Sequence, residues 1–356
     1  MTSPPAFVSL GMVVVDELRR PGTQPMYDIP GGSGMFSVLG ARLASGRAHA
    51  ETVGCFVLAG YDFPEAVLCR VREWAVQVAL HVDDSKVSTR GLLEYKDAEF
   101  SRKVFRYTTT PLQPTPDDLP PHFRLSSSFH MLADPAAVER QVHRLLHVRM
   151  EVQANATAGG PLLVWEPAPL FCNTSTRDAH VTACRLVDVF SPNHLELLSF
   201  FRSLSSHEDT ARISRREIED LAEIFLASGI GPMRQGAIVI RAGYQGCLVS
   251  SPQITGHHCW LPAFSDASLH VADATGAGNT FLGALTFSLA FYKKGIVEAA
   301  KFATVAASFA LEQIGLPELQ SQEGGKEHWN GSEFHARYER YMKQLDELPD
   351  TSSIYS

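Results

Sequence analysis

Gly276-Ala277-Gly278-Asn279, preceded by Asp273-Ala-Thr275 and followed by Thr-Phe-Leu, is the stretch whose residue types and spacing could do chemistry. Phe281, Leu282, Leu285 and Leu289 recur at helical spacing behind it, which predicts that the glycines lie at the N-terminus of a helix with one buried face. The first N–H groups of a helix have no partner within it, and the macrodipole adds positive potential, so such a turn can hold an anion such as a phosphate. Small residues let the backbone come close to that anion. An isolated Gly-Ala-Gly is more often just a tight connection, so the rest of the chain has to decide.

Most of the elements that would position this turn read as strands alternating with helices. Phe7–Asp16 begins as a buried strand and ends in a carboxylate, and Asp28–Leu43 places a second glycine turn (Gly31, Gly32, Gly34) at the start of a helix that carries Phe36. Gly91–Tyr95 and Arg102–Tyr107 flank the polar Lys96-Asp-Ala-Glu99, which predicts a hairpin. Ser128–Leu132, Leu162–Glu166 and Val187–Phe190 are short buried strands, the second ending in an acid, with an amphipathic helix (Val138, Val142, Leu145, Leu146) between the first two. Asn193-His-Leu-Glu196 follows the third; on its own, an Asn before a helix is most simply an N-cap. Ser214–Glu217 is a capping box opening a helix with Ile218, Leu221, Ile224 and Phe225 on its buried face. Ala237–Arg241, a turn with Gly243 and Gly246, and a return strand come next; Arg241 could clamp a phosphate bidentately or close a surface ion pair. A small-residue helix spans Ile296–Gly315, another is expected at Ser332–Asp346, and the tail after Pro349 reads as loose. Such alternation implies crossover connections and a parallel sheet, in which ligands collect at the carboxyl ends of the strands.

The 356 residues suffice for one large α/β domain, or a domain with a small lid. A formal net charge of −8 gives no support to broad electrostatic binding of nucleic acid or acidic membranes. The six cysteines form no Cys-x-x-Cys, the chain opens Met-Thr-Ser-Pro-Pro without a basic-then-apolar leader, and no run approaches the ~18 apolar residues of a membrane span. A cytoplasmic protein with reduced thiols is the expectation. The sequons at Asn155 and Asn173 are then chance matches.

Taken together, Gly31-Gly32, Asn193-x-x-Glu196, Arg241-x-Gly243-x-x-Gly246 and Asp273–Asn279 resemble, in order, the motifs of the PfkB family, the ribokinase-like carbohydrate and nucleoside kinases, across roughly residues 7–317. The resemblance implies an α/β fold: a ribokinase-like three-layer α/β/α sandwich with a mostly parallel central sheet. A small β lid would come from about 18–30 and 87–110, and residues 318–356 would form a C-terminal helix and polar tail. It further implies that Gly276, Ala277 and Gly278 form the anion hole and that Asp16, Gly31, Gly32 and residue 36 line the substrate pocket. Asn193, Arg241, Gly243 and Gly246 would sit by the nucleotide, Glu196 would orient the waters of Mg²⁺, and Asp273 would lie near a monovalent cation such as K⁺. Three positions depart from the family pattern. Asn279 stands where the family has the Asp that takes the proton, Phe36 stands where an Asn bonds a sugar hydroxyl, and Arg241 replaces a Thr. Ser308–Pro317, after the Asn-variant turn, looks like the fungal maintenance-of-killer branch, known for a link to double-stranded RNA virus particle maintenance and not for a defined substrate.

Two functions of different class follow. One is a phosphotransferase using ATP and Mg²⁺ on a small hydroxyl acceptor. It would be slowed by the missing base, whose loss typically costs about 10²–10⁴-fold, unless Asp16 or a pocket His takes the proton. The other is a pseudokinase that binds nucleotide or metabolite and serves as a scaffold; a third, different chemistry at the same anion hole, has no sequence signal. The oligomeric state stays open, the lid hairpin being the natural contact for a homodimer.

Overall fold

The computed structural model describes residues 3–95, 103–153, 159–203, 213–266, 269–321 and 326–347. The Lys96–Glu99 turn, the Asn155 sequon and the tail after Pro349 lie outside the described residues.

In chain order the strands are β1 (Phe7–Ser9), β2 (Val14–Arg19), β3 (Met26–Gly31), β4 (Val53–Gly60), β5 (Gln77–Asp83), β6 (Arg90–Tyr95), β7 (Lys103–Tyr107), β8 (Ser128–Ala133), β9 (Leu162–Pro167), β10 (Val189–Phe190), β11 (Ala237–Arg241), β12 (Cys247–Ser250), β13 (His258–Leu261), β14 (Leu319–Ser321) and β15 (Glu327–Trp329). The main sheet runs β13-β12-β11-β10-β9-β8-β1-β4-β5. It is parallel from β11 through β5, while β12 and β13 return antiparallel at one edge.

A parallel sheet covered on both faces needs apolar side chains on both, which is why β4 reads Val-Gly-Cys-Phe-Val-Leu-Ala-Gly. Alternate residues feed opposite cores: Val164 and Val239 point to one, Leu163, Trp165, Ile238 and Ile240 to the other. The first core lies under the helices Gly32–Ser45, Ala277–Ala290, Ile296–Ala310 and Phe334–Asp346, the second under Pro135–Val152 and Arg215–Ser228. Helix, sheet and helix make three layers.

A four-stranded sheet, ordered β3-β2-β6-β7, stands apart from the main one. It arises because the run Phe7–Asp16, which reads as one strand, breaks at Gly11. A Cβ there would overlap the Gly34 backbone and the Ser33 hydroxyl, so the chain turns, and Val14–Arg19 pairs with β3 and β6 instead. Asp16 is thereby carried into the small sheet. β6 and β7 form the expected antiparallel pair, with Tyr95 opposite Lys103. The segment after Pro317 is better anchored than its polarity suggests: β14 and β15 pair, Trp329 and Tyr341 enter the first core, and Arg42 meets Glu327 at 2.5 Å.

Candidate active site

The helix behind the glycine turn spans Ala277–Ala290, with Gly276 as its N-cap in the left-handed region at φ 80°. Its place is set by contact with the helix Gly32–Ser45. Gly40 lies on the carbonyl of Thr280 and Gly283 on that of Ser37, where any Cβ would overlap. The two helices therefore touch through backbone, and this contact presses the Phe36 ring onto Gly276, where a Cβ would likewise collide.

A charged cluster faces the turn. The Arg241 guanidinium, at the end of β11, lies against Gly278, so that a Cβ on Gly278 would meet Nη1. Nη1 is 2.9 Å from Glu166 Oε1 and Nη2 is 3.4 Å from Glu196 Oε2, while Nη2 also donates to the Ser191 carbonyl at 3.0 Å. Glu166, at the end of β9, accepts through Oε2 from the Asn279 amide and lies 3.3 Å from His130 Nε2. His130 Nδ1 in turn is 3.0 Å from the hydroxyls of both Ser9 and Ser37. Glu166 and His130 are buried, the latter completely.

The two carboxylates differ. Burial pushes Glu166 up, but the Arg241 charge and the His130 contact outweigh it and hold the carboxyl below its ordinary range. Burial dominates at Glu196, which is pushed up to about 7 despite Arg241. Asn193 and Glu196 form a reciprocal capping box: Asn193 Oδ1 accepts from the N–H groups of Leu195 and Glu196, and Glu196 Oε2 accepts from the Asn193 N–H at 2.7 Å.

The recess beside Phe36 is small. Asp16, Gly31, Phe36, Leu93, Asp273, Thr275, Ile314 and neighbours enclose only about 20 Å³, room for roughly one water. A Cβ on Gly31 would meet Asp16 Oδ2, and Gly32, at φ 88°, lies on the Met12 carbonyl. Asp16 Oδ1 is buried with no hydrogen-bond partner, and burial raises the group to about 7.

Asp273, expected beside a monovalent cation, holds side chains of the small sheet. Oδ2 accepts from the Tyr95 hydroxyl at 2.6 Å, and Oδ1 is 3.0 Å from Lys103 Nζ. Lys103 also bonds the Thr275 hydroxyl. The carboxyl is held below its ordinary range: burial raises it, and the Tyr95 bond and Lys103 more than offset that.

The structure thus brings Gly276, Gly278, Asn279, Arg241, Asn193 and Glu196 together, and Asp16, Gly31, Phe36 and Asp273 around the small cavity; Ala277 is the first residue of the helix. Gly246, at φ 93°, serves the close approach of Leu261, and a Cβ on Gly243, at φ 60°, would be in ordinary contact with His194. Glu166, His130, Tyr95 and Lys103 were not anticipated as site residues. Glu166 had a signal, an acid at the end of a strand in a parallel sheet, where side chains converge on ligands.

In α/β sandwiches, a helix N-terminus at the carboxyl ends of parallel strands is a common place for an anionic ligand. The model of the pfkB family carbohydrate kinases matches residues 151–321. An uncharacterized protein of Schizosaccharomyces pombe is 30% identical over 353 residues, 95% of this chain and 93% of that one, and Protein MAK32 of Saccharomyces cerevisiae is 27% identical, covering 98% and 95%. Among solved structures, a protein assigned as ribokinase II of E. coli, in complex with ATP and Mg²⁺, superposes with a TM-score of 0.64 at 16% identity, over 96% of this chain and 99% of that one. Ribokinase from Giardia lamblia gives 0.65 at 15%, over 98% and 100%. The chain belongs to the PfkB family, with a ribokinase-like fold. Among the described residues no helix is long and apolar enough to cross a membrane.

Proposed function

We propose that this chain binds a magnesium nucleotide at the Gly276–Gly278 turn and transfers its terminal phosphoryl group, slowly, to a hydroxyl of a small sugar-like or nucleoside-like molecule. The observation that carries this reading is the convergence of the left-handed Gly276 cap, the Arg241 guanidinium on Gly278 and the Glu196 carboxyl beside it. A helix N-terminus and a guanidinium are both anion donors, and a fixed pair of them suits a polyphosphate. Mg²⁺ prefers oxygen ligands and keeps several waters, so Glu196, released from Arg241, fits it. When bound, the ion supplies charge neutralisation at the phosphates. Arg241 exchanges its carboxylate partners for phosphate oxygens as the nucleotide enters.

The slowness follows from Asn279. Its amide is tied to Glu166 as a donor, so no carboxylate stands at the motif's last position to take the proton. Positioning and charge stabilisation carry most of phosphoryl transfer, so the anion hole still contributes. The 20 Å³ acceptor cavity requires the lid to open before an acceptor enters. The same two observations favour the second reading, a nucleotide-binding scaffold without turnover. Titration calorimetry with Mg-ATP, followed by a product scan over sugars and nucleosides, separates them. Binding with product supports the transferase, binding without product supports the scaffold, and no binding removes both. A lid-mediated homodimer is supported by the exposed Val104, Phe105 and Tyr107 on β7, and cytoplasmic residence by the free cysteines.

A further inference from the structure

Asp273 opens the anion-hole turn, and both of its oxygens are engaged by the small sheet. Tyr95 and Lys103 face each other across the β6–β7 pair, and they reach the two oxygens of the same carboxylate. On the turn's own side, the Thr275 N–H and hydroxyl donate to Oδ1 at 3.1 and 2.9 Å. Lys103 Nζ therefore sits among oxygens, Asp273 Oδ1 and Thr275 Oγ1, as a small monovalent ion would. The Asp273 carboxylate is buried, with 3% of its side chain exposed, while Lys103 is 36% exposed, so the buried charge is compensated by a tethered group that reaches it from the surface. A free potassium ion does not fit beside Asp273 in this arrangement: the ammonium already supplies the positive charge, and two like charges at contact distance repel.

We infer that the Lys103 ammonium is the resident cation of the Asp273–Gly278 turn, taking the place of a dissociable monovalent ion and fastening the lid to the anion hole. The charge that holds the turn then arrives and leaves with the lid, and the protein needs no potassium to keep the turn in shape. Lys103 acts here as a positioning residue. The inference concerns the turn to which the proposed function assigns the phosphates, but its test needs no nucleotide, so a failure of that function and a failure of this inference are distinguishable.

The test is thermal unfolding of the full chain in potassium chloride and in choline chloride at equal ionic strength, which keeps non-specific screening the same. Wild type melts at the same temperature in both salts. Lys103→Met leaves the buried carboxylate without its cation and melts roughly 2–4 °C lower in choline, and potassium, now able to enter beside Asp273, restores most of the loss. Lys103→Arg, which keeps the charge, shows little response to the salt. Potassium rescue is a readout that mere lost packing would not give. The inference is overturned if potassium raises the wild-type melting temperature as much as the variant's, since the site would then take an ion with Lys103 present. It is equally overturned if Lys103→Met melts like wild type in choline, or if its loss is the same in both salts.

Discussion

Asn279→Asp restores the family's residue, and the geometry sets what that costs. The amide that donates to Glu166 Oε2 becomes a carboxylate facing a carboxylate, beside a Glu166 that is only 5% exposed. Two unit charges about 4 Å apart repel by about 4 kcal/mol at an effective dielectric constant of about 20. Arg241, 2.9 Å from the other Glu166 oxygen, offsets part of this, leaving about 2–3 kcal/mol when both groups are ionised. The pair escapes by keeping one proton, so it titrates as a unit with one pKa raised. The unfolded chain releases that proton near pH 4 and the folded chain holds it to higher pH, so the folded state binds more protons in between. Relative to wild type, the variant therefore loses stability as pH rises through that window. Urea unfolding of both proteins measures it: a deficit of about 1 kcal/mol at pH 5 should grow to about 2–3 kcal/mol at pH 8. A deficit equal at both pH values, or a gain, would refute the Asn279–Glu166 contact as the source. Turnover reads the other half of the argument. If Asn279 only replaces the base, the variant consumes ATP faster with a suitable acceptor, and the gain appears above the raised pKa. An unchanged rate means that the proton leaves elsewhere or that the acceptor does not bind.

Phe36→Ala removes a ring that is 3% exposed and lies on Gly276; urea unfolding should show a loss of about 3–4 kcal/mol, and a loss below about 1 kcal/mol would mean the ring is not packed as described. Glu196, raised by burial to about 7 with Arg241 and Glu166 facing it, must ionise to serve Mg²⁺. Mg-ATP binding should therefore tighten between pH 6 and 8, and Glu196→Gln should weaken it and flatten the pH dependence; calorimetry showing unaltered affinity in the variant removes that assignment. The same shift has the opposite sign for folding: an acid whose folded pKa is raised contributes stability below its unfolded pKa of about 4.5, and this is lost as pH rises towards 7, so Glu196→Gln should make the unfolding free energy less pH-dependent across that window. Gly40→Ala drives a methyl into the Thr280 carbonyl and forces the two helices apart, at a cost of about 3 kcal/mol or more; an unchanged unfolding midpoint would contradict the backbone contact that seats the glycine turn.

Some of these parts were legible in the chain because they are local. A helix N-terminus shows in a small or capping residue followed by apolar residues at helical spacing, and Gly276 with Phe281, Leu282 and Leu285 provides both within ten positions. The hairpin of β6 and β7 shows in alternation and a polar break, and the N-cap at Asn193 in an Asn that precedes a helix. The break at Gly11 was not legible, because it depends on Gly34 pressing on it from another element, a contact that leaves no trace in the Phe7–Asp16 pattern.

The charged centre was illegible for a stronger reason. Glu166 reads only as the acid that ends a buried strand until the order β8-β9-β10-β11 puts it between His130 and Arg241, with Asn279, 113 residues away, brought over it by the neighbouring helix. Read singly, Asn279 is a lost base and Arg241 an oddity in place of a threonine. Together with Glu166 they compensate one another: the guanidinium neutralises the acid, and the amide supplies a donor where a second carboxylate would repel. The same holds for Asp273, whose partners Tyr95 and Lys103 come from the lid. Substitutions at separate motifs that satisfy each other's charges and hydrogen bonds describe a site tuned to be stable with its own side chains in place. On the proposed function, a nucleotide displaces Arg241 from its two carboxylates and an acceptor parts the lid from Asp273, so each ligand's affinity is lowered by the ion pairs it breaks.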